Sequence, residues 1–459
     1  MKPRQYCRSC VCIHQSGLIN NRCSISLYFD NVQPIFPLFR RAVFEIDLRD
    51  HKVPEALLCM MFALASRYVP SSELLQLFGP DAIEPWEHFA RLGFKSSRFN
   101  DENDSDAAMS LDDVKTSFLL ALHEYTSFPG RRAWMRIGNT VRVAIAAGLH
   151  QVDQSNKTTA STIPDAELEE RRLTWWAVWR VDSSINVLAG SPFNIETSDT
   201  NTALPSSSTA NFTTGIIAPS SGDFLPTDVI SPWKSIQELQ RITSVDSPNF
   251  YYQTVSYNRE AAICRRRLYS QPTPELMGEF KSLKQVLPYL KIALPHPFFA
   301  GARLPTEENR DKHRQRLETL ILLYMCVLYA LPCAETNLTF IRTEIVLYLP
   351  VKEEGLHKEN TMHQKRQVAD WQLCIDSIEE IAALLNYWEP SYSRLTDPMI
   401  SCIIWISCSV LVLHTMSTTY QQAKIPGHGD SIEESLLILT TALEGFSRYW
   451  PIARLLLSM

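Results

Sequence analysis

ELEERRLTWWAVWRVDSSINVLA, residues Glu167 to Ala189, is the stretch on which the fold turns. Its apolar side chains do not keep to one stripe. Trp175, Trp176 and Trp179 fall on one side of a helical wheel, and Val181, Ile185 and Leu188 fall on the other. A helix that is apolar nearly all round is surrounded by neighbours. This segment is therefore expected at the centre of a helical array.

Outward from it, apolar spacings of three and four residues recur, while sustained strand-like alternation is scarce. The fold class is accordingly all-α, a multi-helix array. Pro54 suits a first helical turn, followed by Leu57, Leu58, Met61, Phe62 and Ala65 on one face. Ser110 and Asp113 have capping-box spacing ahead of a stripe through Leu111, Val114, Phe118, Leu122 and Tyr125. Trp134, Ile137, Val141 and Ile145 form another stripe, stopped by Gly148. Between Ser198 and Ser231 the chain turns to Ser, Thr, Pro, Asn and Gly, which reads as a surface loop or linker. Further helices are expected near 232–241, 247–270, 274–290, 312–331, 361–388, 398–423 and 431–450, the clearest stripe being Trp371, Ile375, Ile378, Ala382 and Leu385. No internal repeat of fixed period is found, which argues against a tandem solenoid. The acidic stretch 100–106 and residues 352–358 read as exposed connections.

The 459 residues carry a net charge of −6, so the chain as a whole has no electrostatic footprint for a polyanion. Lys2, Arg4, Arg8 and Arg22 give a local basic excess that reads as a solvated terminus. Eleven cysteines are scattered, many inside apolar runs, as with Cys59, Cys326, Cys402 and Cys408. Such thiols are expected to be reduced and buried, in a cytosolic or nuclear compartment. The basic start is not followed by an apolar stretch, so no secretory signal is expected. Met399 to Met416 is uncharged and long enough to raise the question of a membrane span, but its Ser401, Ser407, Ser409 and His414 favour a buried core helix.

The common chemical motifs are missing. There is no GxxxxGK, no GxGxxG after a strand, no GxSxG and no HExxH. Asp101, Asp104, Asp106 and the Asp112-Asp113 pair do not form the helical carboxylate cluster that would hold magnesium on a diphosphate, and they read as solvated loop and helix start. Cys7 and Cys10 have a spacing by which two thiolates can share a zinc, with Cys12, His14 and Cys23 nearby, but Cys10-x-Cys12 is too tight for a usual continuation. His357 and His363 read as surface histidines. No catalytic, cofactor-binding or metal-ligating residue is assigned, and the chain is not expected to be an enzyme.

Three segments taken together are similar to the fungal-specific transcription factor domain, the middle regulatory region of binuclear zinc-cluster (Zn2Cys6-type) factors. The first is Tyr28-Phe29-Asp30-Asn31-Val32-Gln33-Pro34-Ile35-Phe36-Pro37-Leu38 with Phe44, which resembles that domain's opening helix and its proline-broken end. The second runs from Gly130-Arg131-Arg132-Ala133-Trp134-Met135-Arg136-Ile137-Gly138 through Arg142 and Ala144 to Gly148-Leu149-His150. The third is Glu170-Arg171-Arg172-Leu173-Thr174-Trp175-Trp176-Ala177-Val178-Trp179, then Asp182 and Gly190-Ser191-Pro192-Phe193-Asn194-Ile195, closing with Asp199 to Pro205. Within this pattern Arg171 and Arg172 are expected to pack on aromatic faces and pair with a carboxylate such as Asp182. Gly130, Gly148 and Gly190 are expected at helix ends, and the Trp175–Trp179 helix could line an apolar pocket.

The resemblance implies a nuclear transcription regulator whose full-length relatives hold zinc and contact DNA, with transcription machinery or other regulators as partners, a small-molecule effector as a possibility, and no membrane. It divides the chain into an irregular basic, Cys-containing leader at 1–26, the regulatory domain at 27–205, a Ser/Thr/Pro-rich loop or linker at 206–231 and a C-terminal helical region at 232–459 packed on or continuing the regulatory domain. The family's cluster order, C-x2-C-x6-C repeated, departs from this sequence: after Cys7 and Cys10 the next cysteine would fall near Gly17. DNA-binding residues are therefore not assigned. A shortened gene model or a factor acting without its own DNA reader both fit, as does a ligand- or partner-sensing module that modulates other factors. Arg265-Arg266-Arg267 and 312–316 could support nuclear import or be simple helix surface. No sustained heptad suggests a coiled coil.

Overall fold

A computed structural model of the chain describes residues 21–69, 85–97, 108–154, 163–220, 222–226, 249–271, 273–293, 310–330, 359–416 and 428–459. Within these are sixteen α-helices and no strand, so the chain is the expected all-α array. The Trp-rich segment forms α7 (Asp165–Ala189), which starts after Pro164 with Asp165 and Glu167 in its first turn. It ends at Gly190, whose φ of 63° is the left-handed turn that a residue without Cβ tolerates best. Trp175, Trp176 and Trp179 are fully buried, as are Val181, Ile185 and Val187.

Among the described residues six helices precede it: α1 (Asn21–Asn31), α2 (Arg41–Arg49), α3 (Glu55–Ala65), α4 (Pro85–Lys95), α5 (Leu111–Ser127) and α6 (Arg131–Ala146). Helix α3 packs on α1, α4 and α5, and α5 and α6 pair with each other and lean on α7. The Ser110 and Asp113 capping box closes the first turn of α5, with Ser110 Oγ accepting from the Asp113 amide at 3.2 Å and the Asp113 carboxylate accepting from the Ser110 amide at 2.9 Å.

After the short α8 (Thr209–Thr214) come α9 (Asn249–Ser270), α10 (Pro274–Ala293), α11 (Arg310–Ala330), α12 (Glu359–Leu385), α13 (Tyr392–Leu395), α14 (Met399–Met416), α15 (His428–Ser447) and α16 (Pro451–Ser458). Helix α9 bridges α7 and α11, α11 contacts α12 and α14, and α16 returns to α5. One apolar cluster accordingly runs from Ile25 to Ala453. Among the described residues no helix is long and apolar enough to cross a membrane. Met399 to Met416 is core, with Ile400, Ile403, Ile404 and Leu411 buried and Ser401 and Ser407 returning their hydroxyls to backbone carbonyls of their own helix region.

Some expectations needed adjustment. On α6, Ile137 and Val141 are buried, but Trp134 and Ile145 are 37% and 40% exposed, and Ala133, Thr140 and Ala144 take the inner positions. Close packing against α5 and α7 favours these smaller side chains over the larger ones at the stripe's edges. Along 198–220 and 222–226, the described parts of the Ser/Thr-rich stretch, Thr202, Ala203, Leu204, Ser207, Phe212 and Leu225 are buried. Composition hides this because the packing depends on a few residues whose backbone groups find partners on α7. The expected helix at 232–241, Asp101 to Asp106, Cys7, Cys10, Cys12, His14 and His357 lie outside the described residues, as do the side chains of Cys23, Cys326 and His363.

His123 on α5 is buried against Arg67, which donates to its Nδ1 at 3.0 Å and to its backbone carbonyl at 3.1 Å. Its Nε2 lies 3.5 Å from Glu87. Burial, helped by the Arg67 and Arg132 charges and opposed by Glu87, holds the imidazole down at about 4. The native state thus keeps this ring neutral, while the unfolded chain takes up a proton near the ordinary value. Its contribution to stability should be present above pH 6.5 and lost as the pH falls towards 4, by up to about 3 kcal/mol. Chemical denaturation at stepped pH should show wild type losing more stability than His123→Gln across that window; parallel curves would contradict a buried neutral ring.

Candidate functional site

The first two family-like segments touch α7, which the third contains. Gln33, buried in the turn after α1, donates to the Phe39 carbonyl at 2.6 Å and accepts from the amides of Leu38 and Phe39 at 3.2 and 3.3 Å, fixing the proline-broken end. That turn presents the Ile35 carbonyl to Arg180 of α7, whose Nη1 donates to it at 3.0 Å. From α6, the Trp134 indole N–H reaches Asn186 Oδ1 at 2.9 Å.

Arg180 is the charged residue around which this region is organised. Its Nε and Nη2 donate to Asp397 Oδ2 at 2.8 and 2.7 Å, and its guanidinium lies between the Phe36 and Tyr251 rings, 4.7 and 4.4 Å from their centroids. The Tyr251 hydroxyl donates to the same Asp397 oxygen at 3.2 Å. Asp397 Oδ1 meanwhile accepts from the Met399 amide at 2.9 Å, capping the first turn of α14. Burial works against the Arg180 charge, but Tyr251, Asp397 and Glu318 outweigh it and hold the guanidinium above its ordinary value. Burial likewise pushes the Tyr251 phenol well above its usual range, so it remains a donor.

A second buried pair joins α7 to α9. Arg259 donates to Ser183 Oγ at 2.9 Å and to the Ile195 carbonyl at 2.5 Å, stacks 4.0 Å from the Phe193 centroid, and lies 3.6 Å from Asp182. Asp182 also accepts from Asn186 Nδ2 and Asn194 Nδ2, both at 2.8 Å, and from the Ile195 amide at 3.2 Å. Burial raises the Asp182 carboxyl and lowers the Arg259 guanidinium, so each charge persists through its partners.

The expected partnership of Asp182 with Arg171 or Arg172 does not form. Arg171 pairs with Glu167 one turn back at 2.9 Å, and Arg172 reaches Asp153 at 2.5 Å and Glu169 at 3.4 Å. Ten residues of helix separate Arg172 from Asp182, so the two lie nearly three turns apart along one axis. Arg172 instead organises the stretch after α7: Asp153 accepts from the Ala203 amide at 2.8 Å, and Glu169 accepts from the Ser206 and Ser207 amides at 2.7 and 2.8 Å. Gly148 and Gly190 are left-handed helix ends, with φ of 73° and 63°. Gly130 caps α6 in extended conformation, and a Cβ there would come within 2.6 Å of the Phe128 ring.

A cleft partly open to solvent lies between the turn after α1, α7, the start of α9 and α11. Leu173 and Arg180 are the α7 residues that line it, whereas Trp175, Trp176 and Trp179 are enclosed in the core. The expectation that the tryptophans face a pocket is thus replaced by their neighbours on the adjacent face. Glu318 in the wall of this cleft is fully buried, and burial raises its carboxyl despite Arg314 and Arg180.

Sequence reasoning missed Arg180, Asp397, Tyr251, Arg259 and Glu318. A lone arginine in an otherwise apolar helical stretch, and an Asp-Pro ahead of an uncharged one, were the available signals. The thiols of Cys264, Cys402 and Cys408 are pushed up to about 11, 12 and 11 by burial, which suits packing and not nucleophilic chemistry. Among the described residues no group of three or more His, Cys, Asp or Glu converges as a metal site would.

The fungal specific transcription factor domain matches residues 25–285 of this chain. The transcription factor tazR of Aspergillus terreus is 25% identical over 187 residues, 39% of this chain and 27% of tazR. The pigment biosynthesis transcriptional activator pigB of Monascus ruber is 25% identical over 209 residues, 43% of this chain and 35% of pigB. A Zn(2)-C6 fungal-type transcription factor of Fusarium oxysporum f. sp. lycopersici is 27% identical over 165 residues, 34% of this chain and 17% of the relative. The chain thus covers roughly a third or less of the length of these curated relatives. No solved structure matches it.

Removing one partner of the buried Arg180–Asp397 pair should cost about 3–5 kcal/mol, because the other charge is left buried. Urea unfolding of Arg180→Met, Asp397→Asn and the double variant should show a double loss well below the sum of the singles. Additive losses would mean the two charges do not act as a unit.

Proposed function

This chain belongs to the fungal specific transcription factor domain family, whose pattern covers more than half of it, and on that premise we propose that it regulates transcription in a fungus as a helical regulatory module working in the nucleus. The family and the relatives reported above are transcription factors and not enzymes. The observation that carries the reading is that the first and second family-like segments both bond to the helix of the third, α7, through the Ile35 carbonyl and Arg180 and through Trp134 and Asn186. In this reading the arginines and glycines of those segments build and orient the module and perform no chemical step.

A zinc-held DNA reader does not fit the residues at hand, since Cys7 and Cys10 lack a third cysteine at the family spacing and Gly17 stands there instead. DNA-binding residues are not assigned. We assign 27–205 as the regulatory domain proper, 206–231 as a loop or linker, and 232–459 as a helical region packed on it or continuing it. The family match, which runs on to residue 285, supports treating the start of this last region as part of the same module. A second reading, a module that senses a small molecule or partner and modulates other factors, is favoured by the cleft beside Arg180.

Fused to a heterologous DNA-binding domain in a fungal host, the whole chain should enter nuclei and change a reporter's transcription severalfold relative to that domain alone. Reporter output that does not move, together with a cytoplasmic signal for the unfused chain, would remove the regulatory reading.

A further inference from the structure

Ser191 and Pro192, directly after the left-handed end of α7, have a setting that helix capping alone does not explain. The Ser191 amide closes the helix end by donating to the Asn186 carbonyl at 3.1 Å, and residues 191–193 belong to no helix. Ser191 is half-buried and Pro192 exposed. The Ser191 hydroxyl has no hydrogen-bond partner among the described residues.

Arg266 of α9 stands beside it. Its Nη1 donates to the Ser191 carbonyl, and its guanidinium lies 5.4 Å from the Phe193 centroid, the ring that Arg259 approaches at 4.0 Å. The arginines along α7 and the start of α9 each face a carboxylate: Arg172 has Asp153, Arg180 has Asp397 and Arg259 has Asp182. Half-buried Arg266 has no ion pair among the described residues. Burial and the adjacent Arg267 lower its guanidinium with no carboxylate to offset them, while Glu260 acts on Arg259 and Arg267 and Glu196 on Arg259. A guanidinium carries five donors, of which the Ser191 carbonyl takes one and brings no charge. A partly desolvated cation without a counter-ion costs free energy, and an anionic acceptor at this spot would recover it.

The acceptor can be made in place. Ser191 Oγ belongs to the same residue as the carbonyl that Arg266 holds, so a phosphoryl group on it falls within reach of that guanidinium. Serine followed by proline is the pair that a proline-directed protein kinase accepts. We propose that Ser191 is a phosphorylation site and that Arg266 is the residue that receives the phosphate. In the transfer, Ser191 Oγ attacks the γ-phosphorus of ATP in the active site of a proline-directed kinase. The new O–P bond forms as the bond to the bridging oxygen of ADP breaks; ADP leaves with that electron pair, and the hydroxyl proton passes to the kinase's base. The phosphoserine then accepts from the remaining N–H groups of Arg266 and ties the turn after α7 to α9. As a means of regulating the module it rests on the reading above, whereas the site itself rests on the Ser191–Arg266 geometry.

The whole purified chain is treated with ATP and a proline-directed kinase that is active on a standard Ser-Pro peptide, and the products are mapped by peptide mass spectrometry. Ser191 should carry a phosphoryl group, and Pro192→Ala should lose most of it. Amide hydrogen exchange across 191–196 should slow about fivefold or more on phosphorylation. Ser191→Ala should show no such slowing after kinase treatment. Arg266→Met should still accept the phosphate but exchange alike with and without it, and Arg266→Lys, which keeps the charge, should retain part of the slowing. No phosphate on Ser191 in the folded chain, unchanged exchange once it is phosphorylated, or the same slowing in Arg266→Met as in wild type would overturn the proposal. The reporter assay fails separately: a chain that is phosphorylated and held in this way without moving the reporter keeps the site and loses the regulatory reading, and the reverse result does the opposite.

Discussion

A buried guanidinium in the middle of an apolar helix is the constraint the rest of this structure has to satisfy. Arg180 cannot be left in the core without acceptors, because transferring an ion from water is costly unless it is paired and hydrogen-bonded. The acceptors come from two distant places: the Ile35 carbonyl in the turn after α1, and Asp397 at the start of α14. Satisfying one side chain therefore brings together three parts of the chain spread over more than 350 residues. Phe36 and Tyr251 close over the two faces of the guanidinium and exclude water from it.

The same logic repeats at either end of α7. Towards its start, Glu169 and Asp153, the latter paired with Arg172, accept from the backbone amides of Ala203, Ser206 and Ser207, so a stretch poor in apolar residues is still fixed in place. Towards its end, Asp182 and Arg259 tie the 194–195 turn to α9. Three charged stations along one helix thus set where the neighbouring elements sit, and the tryptophans between them supply apolar area. Burial of Trp175, Trp176 and Trp179 drives association of the layers, whereas the ion pairs select which arrangement of layers is compatible with no charge left bare.

This division of labour also bears on regulation. An apolar interface tolerates small shifts, but a buried charge network changes its energy steeply when one acceptor is exchanged for another. Asp397 is such a point, accepting from Arg180 and Tyr251 on one oxygen and from the Met399 amide at the start of α14 on the other. Asp397, in the C-terminal part of the chain, completes the network that Ile35 and Arg180 begin.

The sequence by itself determined the helical class, the central place of Glu167 to Ala189, the capping box at Ser110 and the core role of Met399 to Met416. These are local properties, written in the spacing of apolar residues and in the residues that flank each helix. Tertiary structure alone decided the charge partners. Arg172 chose Asp153 and Glu169, Asp182 chose Arg259, and Arg180 chose Asp397, because a buried ion takes whichever acceptor the fold brings within reach and spacing along one helix does not reveal it. The cleft was equally hidden, since its walls come from four segments that meet only after the layers have packed.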